Sequence, residues 1–150
     1  AEEIMLGPFP VILIAVVLYN LTVLGGAATG QHDVAVILGY SFTIPMFSGD
    51  GWKVMVGDLF VALSLGLLCV EVIKATRSSN KSVLNHALST LTFIGALVEF
   101  LMLKGFGTSA FFLITAMCLF DVVAGYTISI VAAKRDMSFE DPDYRHDHLS

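Results

Sequence analysis

Charged side chains are scarce in this chain of 150 residues, and their scarcity indicates its class. Only 14% of the residues are charged and 56% are hydrophobic. An average soluble domain has about a quarter of its residues charged. The chain therefore carries more apolar surface than one small core could bury, and a lipid bilayer is its predicted solvent.

A surplus of positive charge is also missing. The formal net charge of −5 argues against nucleic acid as a partner and leaves no polybasic patch for anionic lipid. Cysteine occurs only at Cys69 and Cys118, which lie in two different apolar windows. At ~1.5 Å per helical residue, their heights in the membrane differ by roughly 12 Å. That separation is beyond the reach of a disulfide.

The motifs of common catalytic chemistry are absent from the sequence. It has no glycine-rich phosphate loop, no metalloprotease helix motif, no Cys/His zinc spacing and no nucleophile elbow. His86 is the single histidine inside an apolar window, so a haem held by two histidines of one chain lacks its second ligand. His146 and His148 belong to a charged, solvated tail. We expect no enzymatic activity, and no cofactor beyond lipid and the cation considered below.

Four apolar windows are long enough to cross a bilayer, which takes about 20 residues per helix. They cover residues 8–26, 53–74, 83–103 and 110–133. Short connections between consecutive windows favour antiparallel neighbours. The prediction is an all-α, four-helix transmembrane bundle with up-down-up-down topology, formed by residues 1–135.

Basic residues beside the windows predict the orientation, because such residues are retained on the cytoplasmic side. Most of them lie between the second and third windows or after the fourth: Lys74, Arg77, Lys81, Lys134, Arg135 and Arg145. Both termini are then cytoplasmic, and the acidic leader of the first window is unlike a signal peptide. We expect a multi-pass protein of a bacterial inner membrane, with residues 136–150 as a disordered acidic tail.

Polar side chains inside the windows carry the functional hypotheses. Asn20, Asp58 and Glu99 each lie about five residues from the outer end of a window, hence in one layer roughly 7 Å below the boundary. Gly95 and Ala96 lie one turn from Glu99, and small residues let another helix approach closely. Because a carboxylate in hydrocarbon costs at least a few kcal/mol, a compensating partner is expected.

Three interpretations of this layer stay open. The first is a structural polar plug, in which protonated or hydrogen-bonded carboxylates specify helix pairing. The second is a cation or proton site, because Asp, Glu and Asn oxygens suit a hard cation such as Ca²⁺ or Mg²⁺. In the third, Asp58 simply reaches the outer interface beside Lys53.

Asp121 lies near mid-membrane in the fourth window, and the interior of the four windows contains no Lys or Arg to pair with it. An unpaired buried carboxylate is either protonated or solvated by a cavity. Asp121 is therefore either a proton relay below the polar layer or a neutral group bonded to a neighbouring helix. Glu71, three residues before Lys74, is interpreted as half of an interfacial ion pair.

The connection between the first two windows is apolar, but Gly39 and Pro45 interrupt it. It is too short to span a bilayer and predicts an irregular re-entrant or interfacial segment. The predicted interface residues belong to this segment, or are the small residues beside Glu99: Val36, Ile37, Leu38, Tyr40, Phe42, Ile44, Phe47, Trp52, Gly95 and Ala96.

Two functions fit these features. One is a small, non-catalytic accessory, assembly or scaffold subunit that forms homo-oligomers or joins a larger membrane complex. The other is a cation or proton channel or transporter component, in which Asn20, Asp58 and Glu99 bind the ion and Asp121 relays it. Both functions place lipids around the chain and exclude nucleic acid.

Overall fold

The computed structural model describes residues 9–77 and 82–139. Within these ranges the protein is mostly helical, with a two-stranded sheet near one end. The elements follow in the order α1 (Leu13–Ala28), α2 (Val34–Gly39), β1 (Ser41–Pro45), β2 (Gly51–Met55), α3 (Val56–Arg77), α4 (Ser82–Met102) and α5 (Ser109–Phe139).

Three helices are long and apolar enough to cross a membrane. Their candidate spans are Val56–Arg77, Leu84–Met102 and Ser109–Met137, and they correspond to the second, third and fourth windows. Helix α1 is also apolar but has only 16 residues. A tight turn precedes it, in which the amides of Leu13, Ile14 and Ala15 bond to carbonyls three residues earlier.

The long helices pack around α5, which runs against both α3 and α4. The aromatic part of the core surrounds Tyr19, whose ring is fully buried. The ring centroids of Phe60, Phe106 and Phe111 lie 5.6, 5.5 and 4.6 Å from that of Tyr19. These contacts join α1, α3, α5 and the 103–108 turn at what we call the hairpin end of the molecule.

The start of α5 is determined by local capping. Thr108 immediately precedes the helix, and its Oγ1 accepts a hydrogen bond from the amide of Phe111 at 3.2 Å. A Thr hydroxyl in this position satisfies one of the free amides of the first turn. The Tyr19 hydroxyl donates to the carbonyl of Gly105 at 3.1 Å and lies 2.6 Å from the same Thr108 Oγ1. Helix α1 is thereby tied to the turn that begins α5.

The connection after α1 differs from the prediction. It contains the short helix α2 and an antiparallel hairpin whose pairs run from Ser41↔Met55 to Pro45↔Gly51. The predicted irregular backbone, and with it the all-α class, is wrong here. Gly39 and Pro45 are the last residues of α2 and β1. The turn between the strands includes Gly49 at φ 91°, a conformation that glycine adopts without steric cost.

Two helix boundaries differ from the predicted ones. Because residues 51–55 are a strand, α3 begins at Val56 rather than near residue 53. Helix α5 continues to Phe139 rather than ending near residue 133, so residues 136–139 of the predicted disordered tail are helical. The rest of that tail, with His146 and His148, lies outside the described residues, as do the acidic leader and Lys81.

Candidate functional site

Two members of the predicted polar layer meet in the structure. The Nδ2 of Asn20 on α1 donates to the Oε2 of Glu99 on α4 at 3.0 Å, and also to the carbonyl of Val16 at 3.0 Å. Both side chains are half-buried. The pair is an interhelical hydrogen bond between two helices that otherwise contact each other little.

The third member of the layer, Asp58, does something different. Its Oδ2 accepts a hydrogen bond from the amide of Met55 at 2.9 Å, and the side chain is exposed. It satisfies a free amide at the beginning of α3, where a negative charge is favourable. Among the hydrogen bonds of the described residues, none joins Asp58 to Asn20 or Glu99. This geometry fits the interpretation that Asp58 reaches the outer interface.

Asp121 on α5 is buried, with 5% of its surface exposed. It interacts with the side chain of Ser89 on α4, and it lies within electrostatic range of Glu71 and Lys74 on α3. Within residues 9–77 and 82–139, its Oδ2 has no hydrogen-bond partner. Lys74 thus provides a basic group near Asp121, which the sequence analysis did not predict.

The carboxylate of Glu71 is surrounded by three donors from the protein itself. It is fully buried. Its Oε2 accepts the amide of Val11, and its Oε1 accepts the Nζ of Lys74 at 3.1 Å and the Nδ2 of Asn85 at 3.3 Å. The carboxylate thereby supplies the acceptor that the start of α1 lacks, since Ile12 offers no side-chain cap.

The ion pair between Glu71 and Lys74 forms as predicted, but inside the protein rather than at the lipid surface. Lys74 is 7% exposed and donates a second hydrogen bond to the carbonyl of Phe9 at 2.7 Å. Both partners thus bind the segment that leads into α1. Their charges hold that segment against α3 at the end of the molecule opposite the hairpin.

His86 on α4 lies beside this group. Its Nε2 is 2.6 Å from the Oγ of Ser129, and its ring packs against Tyr126 with centroids 5.1 Å apart. A Cβ on Gly125 would lie 2.7 Å from the Nδ1 of His86, so glycine is required for the close approach of α4 and α5. We call Glu71, Lys74, Asn85, His86, Ser89 and Asp121 the buried polar cluster.

The described ranges contain no group of three or more His, Cys, Asp or Glu side chains that could hold a metal ion. The two cysteines are free, Cys69 exposed on α3 and Cys118 buried on α5. No known protein family, curated protein or solved structure matches the chain. What the protein does is therefore argued from its own geometry.

The predicted interface residues divide into exposed and buried groups. Leu38 and Ala96 are 7% and 1% exposed and belong to the core, so their side chains are not available to a partner. Gly95 is exposed on α4, and Ile37 is half-buried. The remaining residues are exposed on α2 or the hairpin: Val36, Tyr40, Phe42, Ile44, Phe47 and Trp52.

The buried polar cluster was missed at the sequence level, although a signal for it exists. Ser64, Glu71 and Lys74 are spaced by seven and three residues, which places them on one face of α3. All three are buried. A polar stripe on an otherwise apolar helix indicates a protein-facing side, whereas an isolated pair near a helix end resembles an interfacial ion pair.

Proposed function

We propose that this protein is a small, non-catalytic integral membrane subunit that associates with itself or with a larger membrane complex. The observation that supports this proposal is the hairpin, which presents an apolar face that the other described residues leave largely uncovered. In this proposal α1, α3, α4 and α5 form a four-helix unit surrounded by lipid, without a cofactor and without nucleic acid.

The register of the hairpin separates its two faces. Phe42 pairs with Val54, and Ile44 pairs with Trp52, so these four apolar side chains share one face. Val54 is buried, whereas Phe42, Ile44 and Trp52 are 54%, 37% and 54% exposed. The other face carries Ser41, Thr43 and Lys53 at and near its middle, with Met55 and Pro45 at its two ends. We call it the polar face because of the residues around Thr43.

An isolated two-stranded hairpin is only marginally stable in water. This one contacts its own chain through Val54 and through the Val56 amide, which donates to the carbonyl of Tyr40 at 2.9 Å. Phe47 at the tip is fully exposed. Contiguous exposed apolar surface at an aqueous boundary usually marks association, so a partner protein is the covering we propose.

The membrane placement belongs to the same proposal. Lys74, Arg77, Lys134 and Arg135 lie away from the hairpin along α3 and α5. By the positive-inside rule that end is cytoplasmic, with both termini, and the hairpin faces outward. A bacterial inner membrane is the proposed location, as in the sequence analysis.

A matched pair of substitutions on the two hairpin faces tests the proposal. Ile44→Lys places a charge on the apolar face, whereas Thr43→Lys places the same charge one residue away on the polar face. The measurement is the particle mass of the untagged protein extracted into native-lipid particles, determined by light scattering. The expected result is a complex for the wild-type protein and for Thr43→Lys, and a single 16.1 kDa chain for Ile44→Lys.

Two outcomes would count against an accessory role. One is a wild-type particle that contains a single chain and no other protein. The other is an equal effect of both lysine substitutions, because this would show that the apolar face is not what binds.

A second candidate function is proton or cation conduction, and one observation favours it. The Oδ2 of Asp121 and the Oδ1 of Asn85 are buried, and neither has a hydrogen-bond partner in the described part of the chain. Two unsatisfied acceptors beside a buried ion pair are costly, and a transferred proton or a cation would relieve that cost. Under this second proposal Asn20 and Glu99 bind the ion near the hairpin end, and the exposed Asp58 is the first carboxylate that an ion entering from that end meets.

The test of conduction is flux in proteoliposomes driven by a proton or potassium gradient. Asp121→Asn and Glu99→Gln should each abolish flux, while Ile44→Lys should leave it unchanged. Flux that persists in both carboxylate variants, or no flux in the wild-type protein, removes conduction as a function.

A further inference from the structure

We infer that a groove between α1 and α4 seats a transmembrane helix of a different protein, and that this helix carries a Lys or Arg opposite Glu99. The inference rests on the proposed accessory function and names the chemistry of the partner. It is carried by the shape of the groove and by an incompletely paired carboxylate at one end of it.

The groove has a volume of about 310 Å³. Its floor is Thr92, Gly95 and Ala96 on α4, and Leu13 and Val16 of α1 form one wall. From Leu88 to Glu99 it extends 11 residues along α4, which is roughly 16 Å at ~1.5 Å per residue. That length accommodates about three turns of a helix.

The floor permits close approach of a second backbone. A Cβ built on Gly95 meets no atom within 4 Å, so the space above this residue is open. Ala96 and Thr92 present only small side chains beside it. Small residues at this spacing are typical of interfaces between membrane helices, where van der Waals packing drives association.

Glu99 supplies the charge argument. From the described residues its carboxylate accepts one hydrogen bond, that of Asn20, although a carboxylate has about four acceptor sites. The described ranges contain no ion pair between Glu99 and a basic side chain. Because a carboxylate within the hydrocarbon region is costly, the occupant of the groove is expected to bring a cationic donor.

A second copy of this chain is a poor occupant. The described basic residues inside candidate spans are Lys74, Arg77, Lys134 and Arg135. They lie toward the end opposite the hairpin, whereas Glu99 lies toward the hairpin end. A second copy inserted in the same orientation therefore brings none of them to the level of Glu99. Lys53 and Lys104 lie outside the helices, beyond the end of a seated span. The lysine or arginine must therefore come from another protein.

The experiment uses the full-length protein in liposomes and three synthetic Leu/Ala helices of about 20 residues. The first helix carries Lys about one turn from one end, the second carries Met at that position, and the third carries Lys at its centre. Energy transfer between labelled protein and labelled helix measures the affinity. The helix with the terminal-turn Lys should bind about tenfold more tightly than the other two.

Two variants locate the binding. Glu99→Gln retains the amide contact to Asn20 but removes the charge, so the preference for Lys over Met should disappear. Gly95→Leu fills the groove and should weaken all three helices. The matched control is Gly66→Leu on α3, where a Cβ likewise meets no atom within 4 Å, and it should bind as the wild-type protein does.

Equal binding of the Lys and Met helices to the wild-type protein would overturn the inference. Unchanged binding of the helices by Gly95→Leu would also overturn it. The same holds if a second copy or a phospholipid already fills the groove and the helix does not displace it. Ile44→Lys separates the two proposals, since it should lose the native complex and still bind the helix. If the helices fail to bind while Ile44→Lys still loses its complex, the accessory function stands and the groove has no such role.

Discussion

At the scale of single residues, Glu71 shows how a chain with three candidate membrane spans keeps a charge in its interior. The carboxylate would be costly among lipid tails, but here a backbone amide, an amide side chain and Lys74 surround it. The same residues fix the segment before α1 to α3. Removing one member therefore affects the docking of a helix as well as one ion pair.

The first prediction concerns this ion pair. Glu71→Leu leaves Lys74 buried without its ion-pair partner, and breaking a buried pair in this way costs about 3–5 kcal/mol. The double variant Glu71→Leu/Lys74→Met removes both charges and should cost less than the single one. The measurement is the free energy of unfolding in mixed detergent micelles, followed by circular dichroism. A double variant less stable than Glu71→Leu would contradict the proposed role of the unpaired lysine.

At the scale of elements, α1 is the helix that depends most on specific contacts. It is shorter than the three candidate spans, and it packs less extensively against α4 and α5 than these two pack against each other. Three hydrogen bonds attach it to the rest of the chain. Glu71 binds the segment at its start, Asn20 near its middle binds Glu99, and Tyr19 binds the 103–108 turn. This arrangement explains why a groove remains between α1 and α4.

The second prediction tests the attachment through Tyr19. Tyr19→Phe keeps the aromatic packing but leaves the Thr108 hydroxyl and the Gly105 carbonyl without this partner, at an expected cost of about 1–2 kcal/mol. Hydrogen exchange at amides 105–112 should accelerate. Tyr126→Phe is the matched control, because Tyr126 is 47% exposed, and it should leave exchange in the turn unchanged. Equal acceleration in both variants would show that the Tyr19 hydroxyl does not hold the turn.

At the scale of the whole molecule, the two ends have different chemistry. The aromatic core and the hairpin lie at one end, while the buried polar cluster and the segment before α1 lie toward the other. Lys74 and Arg77 near the end of α3 and Lys134 and Arg135 near the end of α5 share the second end. Such an asymmetric molecule should insert in a single orientation.

The third prediction is that orientation. A cysteine at Ser48 in the hairpin turn should react with a membrane-impermeant maleimide in intact bacterial cells. A cysteine at Asp136 on α5 should react only after the cells are opened. The wild-type protein is the control, since Cys69 and Cys118 lie within candidate spans and should react with this reagent in neither condition. The reverse pattern would place the hairpin in the cytoplasm.

The sequence by itself determined that three helices are long and apolar enough to span a membrane, and their approximate positions. These are local properties, because mean hydropathy over about 20 residues reports whether a helix suits hydrocarbon. The alternation of Phe42 and Ile44 with Ser41 and Thr43, followed by a turn containing Gly49, is typical of a hairpin. The sequence analysis predicts an irregular segment instead, because it treats the whole connection as one apolar run.

The tertiary structure decided which polar groups meet. Depth counting placed Asn20, Asp58 and Glu99 in one layer, but the structure joins only Asn20 and Glu99 by a hydrogen bond. Asp58 caps α3, and Asp121 lies near Lys74. Height along a helix can be counted from sequence, whereas the direction of a side chain depends on how helices rotate and pack. The contacts of Glu71 with Val11 and Asn85 join segments far apart in the chain, so only the packed structure could reveal them.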